Sequence, residues 1–147
     1  HLPKGPNGRV LCRYCGTEVT PPRRTFCSDG CVHEWKLRSN PGYVRKCLFR
    51  RDRGICAECG LNVPRLYHSL RLLEVHVRER RRSELGFPAF GRSWWEAAHI
   101  LAVAQGGGEC GLSNYRTLCV PCHKRDTARL RAHLKARAQE DTLDGLP

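Results

Sequence analysis

The sequence predicts a small, zinc-stabilised α+β fold with an N-terminal four-cysteine zinc finger and extra helices. Three observations point that way. Eight of the ten cysteines fall into close pairs, Cys12/Cys15, Cys27/Cys31, Cys56/Cys59 and Cys119/Cys122, and such spacing lets two thiolates reach one tetrahedral ion. Ser39-Asn40-Pro41 is a strong helix start, followed by apolar residues at three-to-four spacing. Two short stretches, Ala97–Ile100 and Arg116–Leu118, lie either side of the glycine run Gly106-Gly107-Gly108 and have the length of strands. A disulfide scaffold belongs to smaller secreted chains, so the thiol pairs imply a reducing, intracellular setting: the nucleus if the source is eukaryotic, the cytoplasm if bacterial.

Residues 9–38 form the first domain. Cys12-Arg13-Tyr14-Cys15-Gly16 reads as a metal knuckle, with Gly16 accommodating the tight turn after the second ligand. Pro21-Pro22 makes an extended or turn segment. Cys27-Ser28-Asp29-Gly30-Cys31 has the wider gap that suits ligands carried into a helix. Ser28 or Asp29 caps that helix, which runs to about Leu37 with Trp35 packing it on a neighbour. The segment His1 to Gly8 lacks the apolar core of a signal peptide and reads as a short linker. No apolar run reaches the roughly 18 residues of a membrane helix, so no membrane partner is expected.

Residues 39–140 form the main domain. Asn40 caps its first helix and Pro41 fits the first turn, where a missing N–H costs nothing. Val44, Cys47, Leu48 and Arg51 share one face, and Gly54 fits the stop after about Arg53. Cys56 and Cys59 follow, with Gly60 closing the knuckle. Residues 61–93 are a helical insertion. Tyr67 to Arg82 has the length of one helix, with Leu66, Leu70, Leu73 and Val77 at helical spacing. The charge run Arg78, Arg80, Arg81 and Arg82 fits a solvated helix end favoured by the dipole, and equally a contact to DNA. Gly86 to Gly91 is a loop broken by Pro88.

From Trp94 a strand around Ala97–Ile100 presents His99, the glycine run gives a flexible turn, and a second strand leads into the knuckle Cys119-Val120-Pro121-Cys122. His123 opens a helix to about Gln139, with Leu130 and Leu134 as its buried positions. Residues 141–147 are expected to be a flexible tail.

Pairing the knuckles in order puts Cys12, Cys15, Cys27 and Cys31 on one Zn²⁺ and Cys56, Cys59, Cys119 and Cys122 on another. The competing arrangement joins 12/15 to 56/59. All-thiolate sites are closed and structural. Cys47 and Cys110 are left over and read as buried thiols.

The formal charge is +12. Four thiolates and one divalent ion leave about −2 per site, so two sites lower the figure to about +8. Phosphate backbones are the natural partner of such a surface, and a positive face kept for solubility is the bland alternative.

One constellation adds chemistry. Trp95-Glu96-Ala97-Ala98-His99-Ile100 is followed by the glycine run, Asn114 and Cys119-Val120-Pro121-Cys122-His123. Histidine, asparagine and histidine occur in that order, with a metal-spaced cysteine pair before the last. The pattern resembles the HNH nuclease family, over roughly residues 40–137 and most strongly over 94–129. The resemblance implies a ββα-metal unit and a metal-dependent DNA endonuclease that hydrolyses phosphodiester bonds, acting on duplex or branched DNA.

By that resemblance His99 is the general base, Asn114 orients the loop bearing it, and His123 ligates one catalytic Mg²⁺ or Mn²⁺. Arg116, Lys124, Arg125 and Arg129 are candidates, with the 78–82 arginines, for holding phosphates. Taken singly, each residue has a plainer reading: a packed histidine, a turn asparagine, a stand-in zinc ligand. The family's residue before the first histidine is a metal ligand, commonly aspartate, whereas Ala98 offers no oxygen to a hard cation. Either an aspartate has been replaced so that bound DNA survives uncut, or this is a natural DNA-binding derivative that has lost catalysis. A zinc-finger protein-interaction module is the third, weaker reading.

Overall fold

Strong local signals set the helices, and the first three each follow a residue whose side chain closes the first turn. The computed structural model describes residues 2–143, with side-chain surroundings through residue 140. Helix α1 (Asp29–Ser39) is capped by Ser28, whose hydroxyl accepts from the Cys31 N–H. Helix α2 (Pro41–Asp52) has the expected start: Oδ1 of Asn40 accepts from the Tyr43 N–H at 2.9 Å. It stops at Arg53 and Gly54, both with positive φ.

The expected single helix from Tyr67 to Arg82 is two helices, α3 (Val63–Arg71) and α4 (Val75–Glu84). Asn62 caps α3 through the Arg65 N–H, with Pro64 in the first turn, so the helix starts earlier than periodicity alone suggested. At its end the Leu72 N–H turns back to the carbonyls of Leu70 and Ser69. The apolar spacing continues across this turn, but Leu72 and Leu73 lie exposed. Helical period survived there without one continuous helix.

Strand β1 (Trp95–His99) pairs with β2 (Tyr115–Cys119), and helix α5 (Val120–Leu143) follows β2 without a linker. Pro121 sits in the first turn of α5, where proline is tolerated. His123 is therefore in that first turn rather than at the helix start. Leu130 and Leu134 are half-buried. The expected tail is partly helix, since residues 141–143 continue α5, and residues 144–147 lie outside the described residues.

The chain divides into two compact units. One comprises residues up to Arg50 together with His99–Tyr115, the other Arg51–Ala98 together with residues from Arg116 on. The neighbours Ala98 and His99 fall on opposite sides of this division. The first unit buries Cys12, Val19, Leu37, Val44, Cys47 and Leu48, and Phe26 packs its ring 5.6 Å from Trp35 on α1. The second has a larger core. Phe87 stacks on Trp94 at 4.7 Å, Tyr67 and Phe90 meet the same indole, and Val63, Leu70, Ala98 and Leu118 surround them beside three buried cysteines.

Thr117, fully buried on β2, donates to Oδ2 of Asp52 at 2.7 Å, and its carbonyl accepts from the Ala57 N–H. The end of α2 and the second knuckle are thereby both fastened to β2. Among the described residues no helix is long and apolar enough to cross a membrane.

Candidate functional site

Two knuckles with the same backbone plan supply half of each cysteine cluster. In the first, the Gly16 N–H bonds the Cys12 carbonyl at 2.9 Å and the Cys12 N–H bonds the Thr17 carbonyl. In the second, Gly60 bonds Cys56 at 2.9 Å and Cys56 bonds Leu61. Gly16 and Gly60 have φ of 73° and 71°, a region where a side chain is strained. This turn leaves both thiols of a knuckle on one side.

The second halves arrive on helix starts, Cys27/Cys31 at α1 and Cys119/Cys122 at α5. Cys12, Cys15, Cys27 and Cys31 form one cluster and Cys56, Cys59, Cys119 and Cys122 the other, each with its sulfurs within 4.8 Å of one another. The sequential pairing is therefore the one adopted, and the 12/15 with 56/59 alternative is not. Sulfur separations of 3.5 Å (Cys15–Cys27), 3.3 Å (Cys27–Cys31) and 3.8 Å (Cys59–Cys119) approach the ~3.8 Å edge of a tetrahedron with Zn–S bonds of about 2.3 Å.

The acidities of the thiols support a cation at each centre. Burial pushes Cys12 up, but backbone N–H groups of Cys15, Cys27 and Tyr14 outweigh it and bring the thiol down to about 6. Its neighbour Cys31 accepts from the Ser28 hydroxyl, yet the crowd of thiols around it drives it up to about 12. Burial likewise opposes backbone N–H groups at Cys56, which falls to about 7. It prevails at Cys119, pushed up to about 11. Cys122 is raised by burial and by the adjacent thiols. Four thiols so close cannot all ionise unaided, and one divalent ion removes the conflict. Arg125 extends the second centre by donating to Sγ of Cys122 at 2.9 Å. Zinc, if bound here, supplies structure and no open coordination position.

His99 and Asn114 lie together in the first unit. Oδ1 of Asn114 accepts from the Leu101 N–H at 2.8 Å, and Nδ2 donates to the carbonyls of Leu101 (3.1 Å) and Gly107 (2.9 Å). Its backbone carbonyl accepts from the Ile100 N–H at 2.8 Å. The amide thus fastens the loop that leaves His99. The His99 ring lies 4.4 Å from that of Tyr115.

The glycine run is less a flexible turn than a fitted one. Gly107 is buried, and a Cβ there would overlap the Leu101 carbonyl oxygen and stand 2.9 Å from Nδ2 of Asn114. The glycines were visible in the sequence; the close backbone approach that requires Gly107 was not. Tyr115 left no signal beyond its place after Asn114. Cys110, expected to be buried, is only half-buried, because it lies in this loop, where it interacts with the Tyr115 hydroxyl.

Ala98 and His123 belong to the second unit. Ala98 is 4% exposed, packed in the aromatic core. His123 is half-buried in the first turn of α5, next to the ligand-bearing Cys122. A methyl group among apolar neighbours offers no oxygen donor, so these two residues do not fit a Mg²⁺ or Mn²⁺ site as they stand.

The expected DNA-contacting cations are more committed than a bare charge run suggests. Arg78 lies over the Phe90 ring at 5.4 Å. Arg80 is 3.8 Å from Glu84, and Arg82 binds Glu79 at 2.9 Å and the Phe87 carbonyl. Arg116 pairs with Asp126 at 2.9 Å, while Arg129 pairs with both Glu58 at 3.0 Å and Asp126 at 3.3 Å. Arg125 stands 3.8 Å from Glu58. Among the described residues Arg81 and Lys124 enter none of these pairs and are exposed. The Arg116 guanidinium helps hold the Asp126 carboxyl below its ordinary range, against burial, which raises it.

A two-stranded hairpin that runs straight into a helix, with a four-cysteine centre at their junction, defines a zinc-stabilised ββα-metal fold. Comparison with known proteins specifies the family. The chain superposes on the crystal structure of the human ZRANB3 HNH domain with a TM-score of 0.53 at 32% identity, covering 69% of this chain and 97% of that one. The curated protein "DNA annealing helicase and endonuclease ZRANB3" is 32% identical in Mus musculus and 36% identical in Homo sapiens, each over 83% of this chain. The chain spans 14% of the mouse protein and 13% of the human one. No protein-family model matches it. The chain belongs to the HNH endonuclease family.

Proposed function

We propose that this chain is a DNA-binding HNH nuclease domain whose phosphodiester hydrolysis is held off by the residue at position 98. The observation that carries the reading is the Asn114 clamp on the loop leaving His99, in a member of the HNH family. In this reading His99 takes a proton from the attacking water, a task an imidazole suits near neutral pH. Asn114 keeps the His99 loop in one conformation, so no ordering is needed when DNA arrives. His123 is the imidazole assigned to a catalytic divalent ion. Its partner position is the buried methyl of Ala98, and the reading takes aspartate as the residue replaced there. No step through such an ion follows for the chain as it stands.

The mouse and human relatives are named as DNA annealing helicases and endonucleases, which supports DNA as the partner here. The second reading, an inert zinc-dependent nucleic-acid-binding module, draws on the same packing: Ala98 suits its apolar surroundings without any metal.

The test uses Ala98→Asp with Mg²⁺ or Mn²⁺ and compares His99→Ala and His123→Ala in that background. Loss of His99 should lower the cleavage rate by roughly 10²–10⁴-fold with no rescue by excess metal. Loss of His123 should weaken Mg²⁺ or Mn²⁺ binding, and higher metal should recover part of the rate. The opposite pattern of rescue would reverse the two assignments.

A further inference from the structure

The cations assigned to DNA on α4 and α5 are largely tied to carboxylates, whereas a separate group at the N-terminal finger is not. The chain before the first knuckle folds back on it. Lys4 bridges to Val10, Leu11 bridges to Glu18, and the Val19 N–H bonds the Val10 carbonyl at 2.8 Å. These pairings open a cleft of about 400 Å³. Its floor is apolar, with Val10, Val19 and Pro21, and its rim carries Lys4, Arg9, Arg23 and Arg24.

Charge accounting sets this cleft apart. Glu18 is the one carboxylate in the first 28 residues. It is occupied by Asn7, whose backbone N–H and Nδ2 donate to its two oxygens at 2.7 and 2.9 Å, and it does not line the cleft. Arg23 is paired with Asp29 at 2.9 Å. Among the described residues Lys4, Arg9 and Arg24 form no ion pair, and all three are exposed. The thiolate centre in the same finger carries about −2 with its zinc, and residues 1–38 hold seven Lys and Arg against three Asp and Glu, so the finger's cations outnumber its acids and that centre together. Three cations around an apolar floor match a phosphodiester strand, with phosphates on the rim and deoxyribose faces on the valines and proline.

We infer that the N-terminal finger is a second DNA-backbone site, in which Lys4, Arg9 and Arg24 grip consecutive phosphates of a strand lying over Val10, Val19 and Pro21. The inference rests on the reading of DNA as this chain's partner. The finger is then part of the substrate-binding surface as well as a folding unit. It adds affinity without sequence preference, since no base-reading contact is needed.

The experiment measures binding of a fluorescent duplex to the zinc-loaded full chain across a salt series. The wild type is compared with Lys4→Gln/Arg9→Gln/Arg24→Gln and with Arg131→Gln/Lys135→Gln/Arg137→Gln, which removes equal charge from exposed positions on α5. Zinc content and circular dichroism confirm folding, and Lys4→Gln alone serves as a milder variant. Each lost phosphate contact removes about 0.9 from the slope of log affinity against log salt. The finger triple variant should therefore lose roughly 2–3 from its slope and at least about tenfold in affinity near 0.1 M salt, and the single variant about one from its slope. The α5 variant should change less. Equal losses in the two triple variants would show that net charge alone governs binding and would overturn the finger site. So would an unchanged slope in the finger variant while the wild type binds. A wild type with no salt-dependent binding would instead remove the DNA reading itself, and the finger site with it.

Discussion

Gly107 and Asn114 carry the fit of the loop that follows His99. Replacing Gly107 with alanine drives a methyl group into the Leu101 carbonyl, and overpacking of this kind costs about 1–3 kcal/mol. Gly107→Ala should therefore lower the urea midpoint clearly. Gly108→Ala, whose Cβ would touch only Val103 at 3.4 Å, should stay near wild type. Equal effects of the two would show that the glycine run serves chain flexibility after all. The sequence displayed the histidine–asparagine–histidine order openly, because those residues are chemically distinctive. It hid the requirement at Gly107, because a close backbone approach depends on where a loop folds and leaves only a glycine behind. Asp126 gives a second test. Its carboxyl is held low in the folded state, so its contribution is present above the unfolded value near 3.9 and fades as pH falls through the lower folded value. The stability difference between wild type and Asp126→Asn should be full near neutral pH and shrink as pH falls below the ordinary carboxylate range. A difference that persists unchanged into strong acid would show that Arg116 and Arg129 do not stabilise the ionised form.

Each four-cysteine centre ties a knuckle to the start of a helix. The second centre links a knuckle after α2 to the β2–α5 junction across some sixty residues of sequence, and binding free energy at such a site is folding free energy. Elemental analysis should find two zinc ions per chain. Cys119→Ser should lose one of them together with the near-ultraviolet signal of Trp94, because Cys119 lies in the same buried cluster as that indole. A variant that keeps two zinc ions and an unchanged tryptophan environment would remove the second centre from the account. Knuckles and caps were the legible elements, since Gly16, Gly60, Ser28 and Asn40 act through their immediate neighbours. The break between α3 and α4 was not legible. Leu66, Leu70, Leu73 and Val77 keep helical spacing across it, although the Leu72 N–H closes α3 and Leu72 and Leu73 lie exposed. The ion pairs of Arg116, Arg125 and Arg129 were equally hidden, because Glu58, which holds two of them, is far away in sequence.

At the scale of the whole molecule, the catalytic role proposed for position 98 and the packing there make opposite demands. Ala98 suits the aromatic core around Trp94, and a carboxylate buried there without a partner costs on the order of several kcal/mol. Ala98→Asp should therefore melt lower than wild type in chelator, and Mn²⁺ should restore part of the loss if the new carboxylate and His123 share an ion. On the proposed function, the DNA affinity of the wild-type chain should fall steeply with salt, as binding through phosphates does. The measurement that tests the account most directly is cleavage of duplex, nicked, flap and forked DNA by the wild-type chain and by Ala98→Asp, side by side in Mg²⁺ or Mn²⁺. The account predicts that both bind, that the wild type leaves every substrate intact, and that Ala98→Asp cuts at least one of them. Efficient cutting by the wild type, or a folded, metal-responsive Ala98→Asp that cuts none, would contradict it.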